Sequence, residues 1–562
     1  MSRVVLFLTL YISGFNLLMA QKITTYTYTD SIAIHKYKYP LNIEADSVEI
    51  SNVSIEILND LYTKGFLEAT YKIEHKDSIF NVHWVIGNAY EWVSLKPGNV
   101  PEYLLSKSGY REKLYSNTYF DLEELTGLFK KIITESENNG RPFAHLSLSN
   151  LSIINGKVEA SLTYKSGPEI IFDNLVISGT YKIKPKWLEA YLGIREGSLF
   201  SQKALDNIES SINNLPFVYL NEPPSVTFQN STAKVFIDVM EKPANSVDGI
   251  IGFLPNEEIE NELLITGQLF LGLSNLFNSG KSLQMEWQSL KPRTQLLEID
   301  YDHPNVIRTP FDFNSRFYLL KEDTFFINRE LDLSIALRQE KSRFSFFFRA
   351  KNSSILTATT LESELTDLSI NYYGLGYTHS TLPKYIVPQT GVRIMSEVSL
   401  GNKNAEDPLT GSISKSIQYN LIGSINAQLK LTKYFVIAEQ LLMGKLINDQ
   451  LYQNDLYRIG GLKSIRGFNE NFFFAEQYFI SRLELRLHFQ KNSYTYTFYD
   501  QGYYYNDVQN LSYQDYPLGI GVGLAMELNF GILNIAYGLG KSKDQIFDTR
   551  LSKIHFGYIA RF

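Results

Sequence analysis

The chain has 562 residues, of which 53 are basic and 60 acidic, giving a net charge of −7. No basic surplus points to nucleic acid as a partner, and the absence of cysteine excludes disulfide scaffolds, thiol nucleophiles, Cys-ligated metals and a lipid anchor on cysteine. The sequence is rich in tyrosine (37) and phenylalanine (36), yet its mean hydropathy is only −0.15. This disfavours a bundle of membrane helices but fits a membrane β-barrel, in which polar and apolar residues alternate.

Residues 1–20 predict a secretory signal peptide. A basic start at Arg3 precedes an interrupted apolar run from Val4 to Leu18, which ends just before Gln21. An N-terminal membrane anchor is the alternative, but the run is short and broken by polar residues. Export without a second apolar helix leads us to expect the periplasm, the outer membrane or the exterior of a double-membraned bacterium.

Residues 21–243 carry a pattern that occurs three times. An amphipathic helix is followed by a tight turn, an aromatic–small pair and an alternating strand, and the helices are predicted at 55–63, 122–137 and 204–213. The turns begin 75 residues apart, at Gly65, Gly140 and Leu215. A fixed spacing of this kind predicts tandem copies of one small domain.

The order predicted for residues 169–243 is strand–helix–helix–strand–strand, which resembles the POTRA domain. That domain precedes the barrel in the BamA/TamA superfamily of outer-membrane insertases and translocators, also called the bacterial surface antigen family. The resemblance implies POTRA domains at 90–168 and 169–243 and a divergent POTRA-like domain at 21–89. Another small α+β repeat is the alternative.

From residue 244 onward the sequence alternates in stretches of about ten residues, the length of a membrane-spanning strand. Leu283, Met285 and Trp287, for example, interleave with polar residues. A soluble β-sandwich could also alternate, but a lipid-facing wall explains the whole segment more simply. The resemblance implies an outer-membrane β-barrel at 244–562, with 16 antiparallel transmembrane strands.

A glycine pair followed by an Arg-Gly-Phe triplet resembles the signature of the superfamily's sixth extracellular loop, which folds back into the barrel lumen. The matching residues are Gly460, Gly461, Arg466, Gly467 and Phe468. The resemblance implies that this segment is a lid, with Gly467 permitting a bend and Phe468 filling an apolar space. A buried arginine also needs an acceptor.

The acceptor is predicted from a second motif, because Phe498, Asp500 and Gly502 match the family's F-x-D-x-G pattern on a neighbouring strand. Asp500 would point inward toward Arg466, whose forked donors suit a carboxylate. A solvated carboxylate is the alternative. Glu484, on a nearby alternating strand, is a second candidate acceptor.

Two further patterns lie near the C-terminus. Three alternate glycines at 519, 521 and 523 continue a strand pattern, so we expect them to leave room in the wall rather than bind a nucleotide. Gly557, Tyr558 and Phe562 resemble the outer-membrane β-signal, although Ala560 departs from the usual pattern. An ordinary edge strand is the alternative.

No enzyme motif is present: the sequence lacks H-E-x-x-H, G-x-S-x-G and a Gly-rich phosphate loop, and its eight histidines are scattered. We therefore expect no catalytic activity, no cofactor and no metal site.

The resemblance implies a protein assembly, insertion or translocation factor, closest in plan to the TamA-type branch. It would sit in the outer membrane with its POTRA domains in the periplasm. Its partners would be unfolded outer-membrane or secreted clients, the lipid bilayer and a periplasmic or inner-membrane accessory protein, but not nucleic acid. A seam between strands near 246–254 and 554–562 would open laterally and accept a client strand.

Two alternatives remain open. One is a two-partner-secretion transporter, a branch that normally has two POTRA domains and an N-terminal plug helix; residues 21–45 look extended instead. The other is a passive outer-membrane channel, which would not need the repeats or the lid.

Overall fold

The computed structural model describes residues 23–28, 42–44, 47–76, 79–180, 182–255, 263–291, 293–339, 341–356, 365–382, 387–406, 410–508, 511–528 and 531–560. The predicted signal peptide, 1–20, lies outside these residues. The chain forms two compact units. The first extends to Phe172 and includes 197–205 and 228–233, and the second contains the rest. No described helix is both long enough and apolar enough to cross a membrane.

The first unit begins with a four-stranded sheet covered by one helix. Its elements are β1 (Ile23–Tyr28), β2 (Asn42–Glu44), α1 (Ser47–Thr63), β3 (Thr70–Lys76) and β4 (Ile79–Val85), in the sheet order β2-β1-β4-β3. Leu61 of α1 packs in one core with Trp84. The helix starts eight residues before the predicted start at Ile55, because polar residues in its first half obscure the helical period.

A second sheet in this unit is packed by two helices. Its elements are β5 (Glu91–Lys96), α2 (Glu102–Ser108), β6 (Thr118–Tyr119), α3 (Leu122–Glu137), β7 (His145–Ile154) and β8 (Lys157–Lys165), in the order β6-β5-β8-β7. The predicted bounds of α3 are confirmed. The Asp121 carboxylate caps this helix by accepting from the Glu124 N–H at 2.9 Å, and Leu128 and Ile132 form its buried face.

A third sheet follows. Its elements are β9 (Ile171–Phe172), β10 (Val176–Thr180), α4 (Pro185–Leu192), α5 (Gln202–Asp206), α6 (Ile208–Asn213), β11 (Val218–Gln229) and β12 (Thr232–Glu241), with β10-β12-β11 as the order and β9 also on β12. Gly193, at φ 73°, ends α4. The helix predicted at 204–213 is instead two helices separated at Asn207.

Helix α4 packs against turns of the long sheet in the second unit. A Cβ on Gly280 would lie 2.1 Å from the Trp187 ring, so only glycine leaves room for this indole. The Trp187 indole N–H donates to the Pro304 carbonyl at 3.4 Å. One turn further along α4, the Tyr191 ring lies 5.0 Å from the Arg338 guanidinium. These contacts join the helix to three different turns or strand ends.

The long sheet is an antiparallel meander. Its first strands are β13 (Ser246–Pro255), β14 (Leu263–Leu276), β15 (Lys281–Lys291), β16 (Thr294–His303), β17 (Phe311–Glu322), β18 (Phe326–Gln339), β19 (Ser342–Ile355), β20 (Leu368–Ser380), β21 (Gly391–Glu406), β22 (Ile413–Lys430) and β23 (Phe435–Ile447). A separate pair follows, β24 (Tyr457–Ile459) with β25 (Phe473–Ala475). The sheet then continues with β26 (Gln477–His488), β27 (Tyr494–Val508), β28 (Leu511–Asp515), β29 (Leu518–Leu528), β30 (Gly531–Lys541) and β31 (Lys553–Ala560). Short 3-10 turns occur at Glu112–Tyr115, Val306–Arg308, Gln453–Asp455 and Thr549–Leu551.

The described residues form 17 strands in this sheet, whereas the resemblance implied 16. The difference arises at β28 and β29, which pair with successive parts of the same strand, β27. Pro517, which has no N–H to donate to a ladder, stands between them, and its carbonyl accepts from the Gly502 N–H at 2.7 Å. Cα atoms of the end strands β13 and β31 approach within 8 Å, but no ladder joins them in the described part of the chain.

One face of the sheet carries exposed apolar side chains. Directly paired positions on five successive strands, β18 to β22, form a row of them: Ile335, Phe346, Leu375, Val398 and Leu421. All five are exposed, Leu375 to 67%. A contiguous apolar surface of this kind marks contact with something other than water. The opposite face is called the inner face below.

Candidate functional site

A hairpin between β23 and β26 folds over the inner face of the sheet. We call residues 457–475 the lid; β24 and β25 form its base. Its tip turns through Gly460 and Gly461, whose φ angles of 119° and 94° strongly favour glycine. The Gly461 N–H donates to the Ile465 carbonyl at 2.9 Å. The glycine pair found in the sequence thus forms the bend that precedes Arg466.

Arg466 is buried in the lid tip and binds two wall carboxylates. Its Nε and Nη2 donate to the two oxygens of Asp500 at 2.8 and 2.6 Å, and its backbone N–H donates to Oδ2 at 2.9 Å. Its Nη1 donates to Glu484 Oε1 at 2.5 Å. The side chains of Arg466 and Asp500 are 1% and 0% exposed. The structure thus brings together the three charged residues that the sequence singled out.

The environment of this ion pair favours the charged guanidinium. Burial opposes its charge, but the hydrogen bonds and charge of Asp500 and the charge of Glu484 outweigh burial, so the pKa of Arg466 lies above its usual value. The guanidinium also stacks 3.9 Å from the centre of the Phe498 ring. Phe498, from the second motif, therefore supports the arginine directly.

Two more arginines on β26 complete the charge cluster. Arg486 Nε donates to Glu484 Oε2 at 2.8 Å, and Arg482 donates to the Leu462 carbonyl of the lid at 2.7 Å. Residues 482, 484 and 486 alternate along one strand and therefore share one face. Sequence analysis named only Glu484; the alternation that placed it inward also placed both arginines there.

Glycines in the wall make room for the lid tip. A Cβ on Gly519 would lie 2.1 Å from the Arg466 carbonyl oxygen, and one on Gly540 would lie 2.6 Å from that of Gly467. A Cβ on Gly502 would lie 2.5 Å from Ile465. The lid backbone therefore contacts the wall backbone directly, which explains Gly502 of the second motif and the first of the three alternate glycines.

Phe468 lies in an apolar cluster that the lid forms with Ile480 of β26 and Tyr504 of β27. Its side chain is 1% exposed and its ring meets that of Phe473 edge-on, with centroids 4.9 Å apart. The other two alternate glycines face wall aromatics: a Cβ on Gly521 would lie 2.6 Å from Phe498, and one on Gly523 2.2 Å from Tyr496.

A second buried ion pair holds the segment that leads into the lid. Lys403 of β21 donates to the Asp455 carboxylate and, at 2.7 Å, to the Gln450 carbonyl. Both charged side chains are almost fully buried. Lys351 of β19 donates to the Asp455 carbonyl at 3.0 Å, and the adjacent Asn454 donates to Ser353 at 2.6 Å. We call this cluster the lid root.

The lid root was missed by sequence analysis. Lys403 stands in the polar run 402–407, a composition typical of a loop, whereas the structure places it within β21. Its partner is 52 residues away in the chain, and no motif signals their contact. The alternation of β21 could have shown that the lysine side chain faces inward, but not what it meets.

Two further ion pairs join the lid to strands near the other edge of the sheet. Arg458, at the lid base, donates to Glu322 of β17 at 3.2 Å, and its guanidinium lies 3.8 Å from the Phe474 ring centre. Lys463, at the exposed tip, donates to both oxygens of Glu286 on β15 at 3.0 Å. The lid thus contacts β15 and β17 as well as β26, β27, β29 and β30.

The predicted β-signal residues are described in part. Gly557 lies in β31, and a Cβ there would lie 3.0 Å from Leu462 of the lid. Tyr558 belongs to the same strand, but its side chain lies outside what the structure describes, as does Phe562 altogether. Among the described residues, no cluster of His, Cys, Asp or Glu could hold a metal ion.

Comparisons with known proteins found one family model that matches part of the long sheet and several solved structures that resemble most of the chain. Residues 338–526 match the family model of haemolysin secretion/activation proteins ShlB/FhaC/HecB. Among solved structures, CdiB from Acinetobacter baumannii aligns with a TM-score of 0.56 at 14% identity, covering 89% of this chain and 96% of that one. CdiB from Escherichia coli aligns at 0.52 with 12% identity, covering 92% and 98%. BamA from Haemophilus ducreyi lacking POTRA domains 1–3 aligns at 0.45 with 13% identity, covering 84% and 99%. A search of curated proteins found no match.

These matches differ from the branch that the sequence suggested. The sequence suggested the TamA-type branch, but the family model belongs to haemolysin secretion proteins and the two CdiB structures share the fold. The match at 338–526 also contains the lid with Arg466, and both carboxylates it binds. The comparisons therefore show a likeness of residues 338–526 to haemolysin secretion/activation proteins and a fold shared with the two CdiB structures.

Proposed function

We propose that the chain is an outer-membrane transporter of the two-partner-secretion type, which moves a secreted polypeptide client across the membrane through its barrel. The observation that carries this proposal is the match of residues 338–526 to haemolysin secretion proteins, in the segment that holds the lid. The alternative left open by the sequence is thus better supported than the TamA-type function.

The proposed architecture has a signal peptide at 1–20, POTRA-type domains at 21–89, 90–168 and 169–243, and a barrel at 244–562. Counting β28 and β29 as one interrupted strand gives 16 strands for a closed barrel. The exposed apolar row on the outer face is suited to lipid. The three N-terminal domains would then lie in the periplasm, where their sheets could bind the client or an accessory protein.

In this proposal the lid is the barrier that a client must displace. Its buried ion pairs make the closed state specific, because an arginine or lysine leaving its carboxylate strands a charge inside the barrel. The inner face offers further charges to a passing chain, such as Arg316 and Arg349, both paired with Asp332. No nucleotide motif is present in the sequence, so binding and folding of the client must supply the driving force.

Assembly of outer-membrane proteins is the second candidate, as the sequence first suggested. The observation that favours it is the end of the sheet: β13 and β31 are not joined by a ladder in the described residues, and such edges can accept a client strand. A passive channel is the third candidate function. The contacts of the lid with the inner face of the sheet disfavour it, because they obstruct an open path.

Deleting the gene in its native bacterium separates these functions. The proposal predicts that one or a few polypeptides disappear from the medium and cell surface and accumulate in the periplasm, while other outer-membrane barrels stay at their normal levels. A general loss of outer-membrane barrels would replace it with the assembly function. If neither pool changes and the purified protein conducts ions freely, the chain is a channel.

A further inference from the structure

His555 connects the terminal strand to the lid. It lies on β31 and is buried, and its Nε2 accepts a hydrogen bond from the Gly467 N–H at 3.1 Å. To accept there, the imidazole must be neutral with its proton on Nδ1. That nitrogen faces Glu470 Oε1 of the lid at 3.8 Å. Both ring nitrogens of this histidine are therefore directed at the lid.

A second contact on the same face of β31 supports this connection. Gly557 stands two residues further along, so it shares the inner face with His555. A Cβ there would lie 3.0 Å from Leu462 of the lid. Ile554, which precedes His555 and therefore points to the opposite face, is 60% exposed. The lid thus covers the inner side of the terminal strand at two consecutive inward positions.

The lid tip also lies across the strand next to β31. A Cβ on Gly467 would lie 2.6 Å from the Leu539 carbonyl carbon of β30. Strand β30 is the ladder partner of β31 along residues 553–560. On its other edge, β31 has no ladder in the described residues. Within the described residues, β31 thus has a ladder with β30 and side-chain contacts with the lid.

We infer that His555 is a positioning residue that fastens the terminal strand to the closed lid, so that displacement of the lid releases the strand. When Arg466 leaves Asp500, Gly467 moves with it, because the two are adjacent in the chain. The Gly467 N–H then withdraws from His555, and among the described residues the ladder with β30 is the backbone pairing that β31 retains. The role of this link in transport rests on the proposed function, but the link itself does not.

Hydrogen exchange of the purified full-length chain in lipid nanodiscs tests the link. We expect His555→Leu to raise exchange of the Gly467 amide about three- to tenfold, the range for one lost hydrogen bond, and to raise exchange along β31. His555→Gln, whose side-chain oxygen can accept in place of Nε2, should stay near the wild type. Tyr372→Phe, which removes a buried hydrogen bond from Gln418 between β20 and β22, far from β31 in the strand order, should change both signals less than twofold.

A second arm separates positioning from simple loss of stability. Arg466→Ala should raise exchange along β31 in the wild-type background but add little in the His555→Leu background. Equal effects in both backgrounds, or an unchanged Gly467 amide in His555→Leu, would overturn the inference. No client is present in these measurements, so they decide the link alone; the gene deletion decides the proposed function.

Discussion

Replacing Arg466 with methionine should release the lid tip. The substitution keeps most of the side-chain volume but leaves Asp500, which is 0% exposed, without its bidentate partner. Three side-chain hydrogen bonds are lost, two to Asp500 and one to Glu484, while the backbone bond from residue 466 can remain. Removing one member of a buried pair costs about 3–5 kcal/mol.

The position of Arg482 determines where within this range of about 3–5 kcal/mol the cost of the Arg466→Met substitution should fall. The Arg482 Nε lies 4.0 Å from Asp500 Oδ1, so it can neutralise part of the stranded charge. We therefore expect the lower end, about 3 kcal/mol. At 1.4 kcal/mol for each factor of ten, this raises the open fraction of the lid about 100-fold.

A single cysteine can report this opening, because the chain contains no other. Ile465 is 0% exposed, so a cysteine at this position reacts with maleimide only when the lid opens. Labelling of Ile465→Cys should be about 100-fold faster with Arg466→Met than without it. Lys463→Met, which removes an exposed pair worth at most about 1 kcal/mol, should accelerate labelling less than about fivefold. If the two variants label at the same rate, the buried pair does not hold the lid.

Three further perturbations test the other lid contacts. Lys403→Met leaves the buried Asp455 carboxylate of the lid root without its cation and should destabilise the closed lid by about 3–5 kcal/mol. We expect faster maleimide labelling of a cysteine in the lid. An unchanged labelling rate would show that the lid root does not hold the lid closed. Gly519→Ala places a methyl group 2.1 Å from a lid carbonyl oxygen, costing about 1–3 kcal/mol in thermal unfolding, whereas Gly127→Ala, with nothing within 4 Å, should not destabilise. Joining cysteines at Lys463 and Glu286, whose side chains meet at 3.0 Å, with a cleavable bifunctional reagent should stop secretion until the link is cleaved; continued secretion would show that the lid need not leave.

Local patterns predicted individual elements well where one feature dominated. Helix α3 was bounded correctly because Asp121 caps it and its apolar residues keep a helical period. Helix α1 was seen only in its second half, and the break at Asn207 was not seen, since neither has a strong local signal. Pro517 separates β28 from β29 among the described strands, and proline in a strand pattern is a signal that could have been used.

The site divides in the same way. The contact between Arg466 and Asp500 could be expected because two motifs, in the order of a known superfamily, point to each other. The lid root and His555 could not, because each depends on which strands the lid happens to cross. His555 looked like an ordinary scattered histidine, and only its distance from Gly467 distinguishes it.

The packing of Trp187 against Gly280 bears on how the protein can be divided for experiments. A fragment that begins at residue 244 would lose this indole, which would leave an unfilled space beside Gly280. The Pro304 carbonyl would also lose the hydrogen bond that it accepts from Trp187. Calorimetry of such a fragment would then give an unfolding temperature lowered by the lost tryptophan packing. A fragment that begins upstream of Asp173, where the second compact unit starts, keeps Trp187 packed against Gly280.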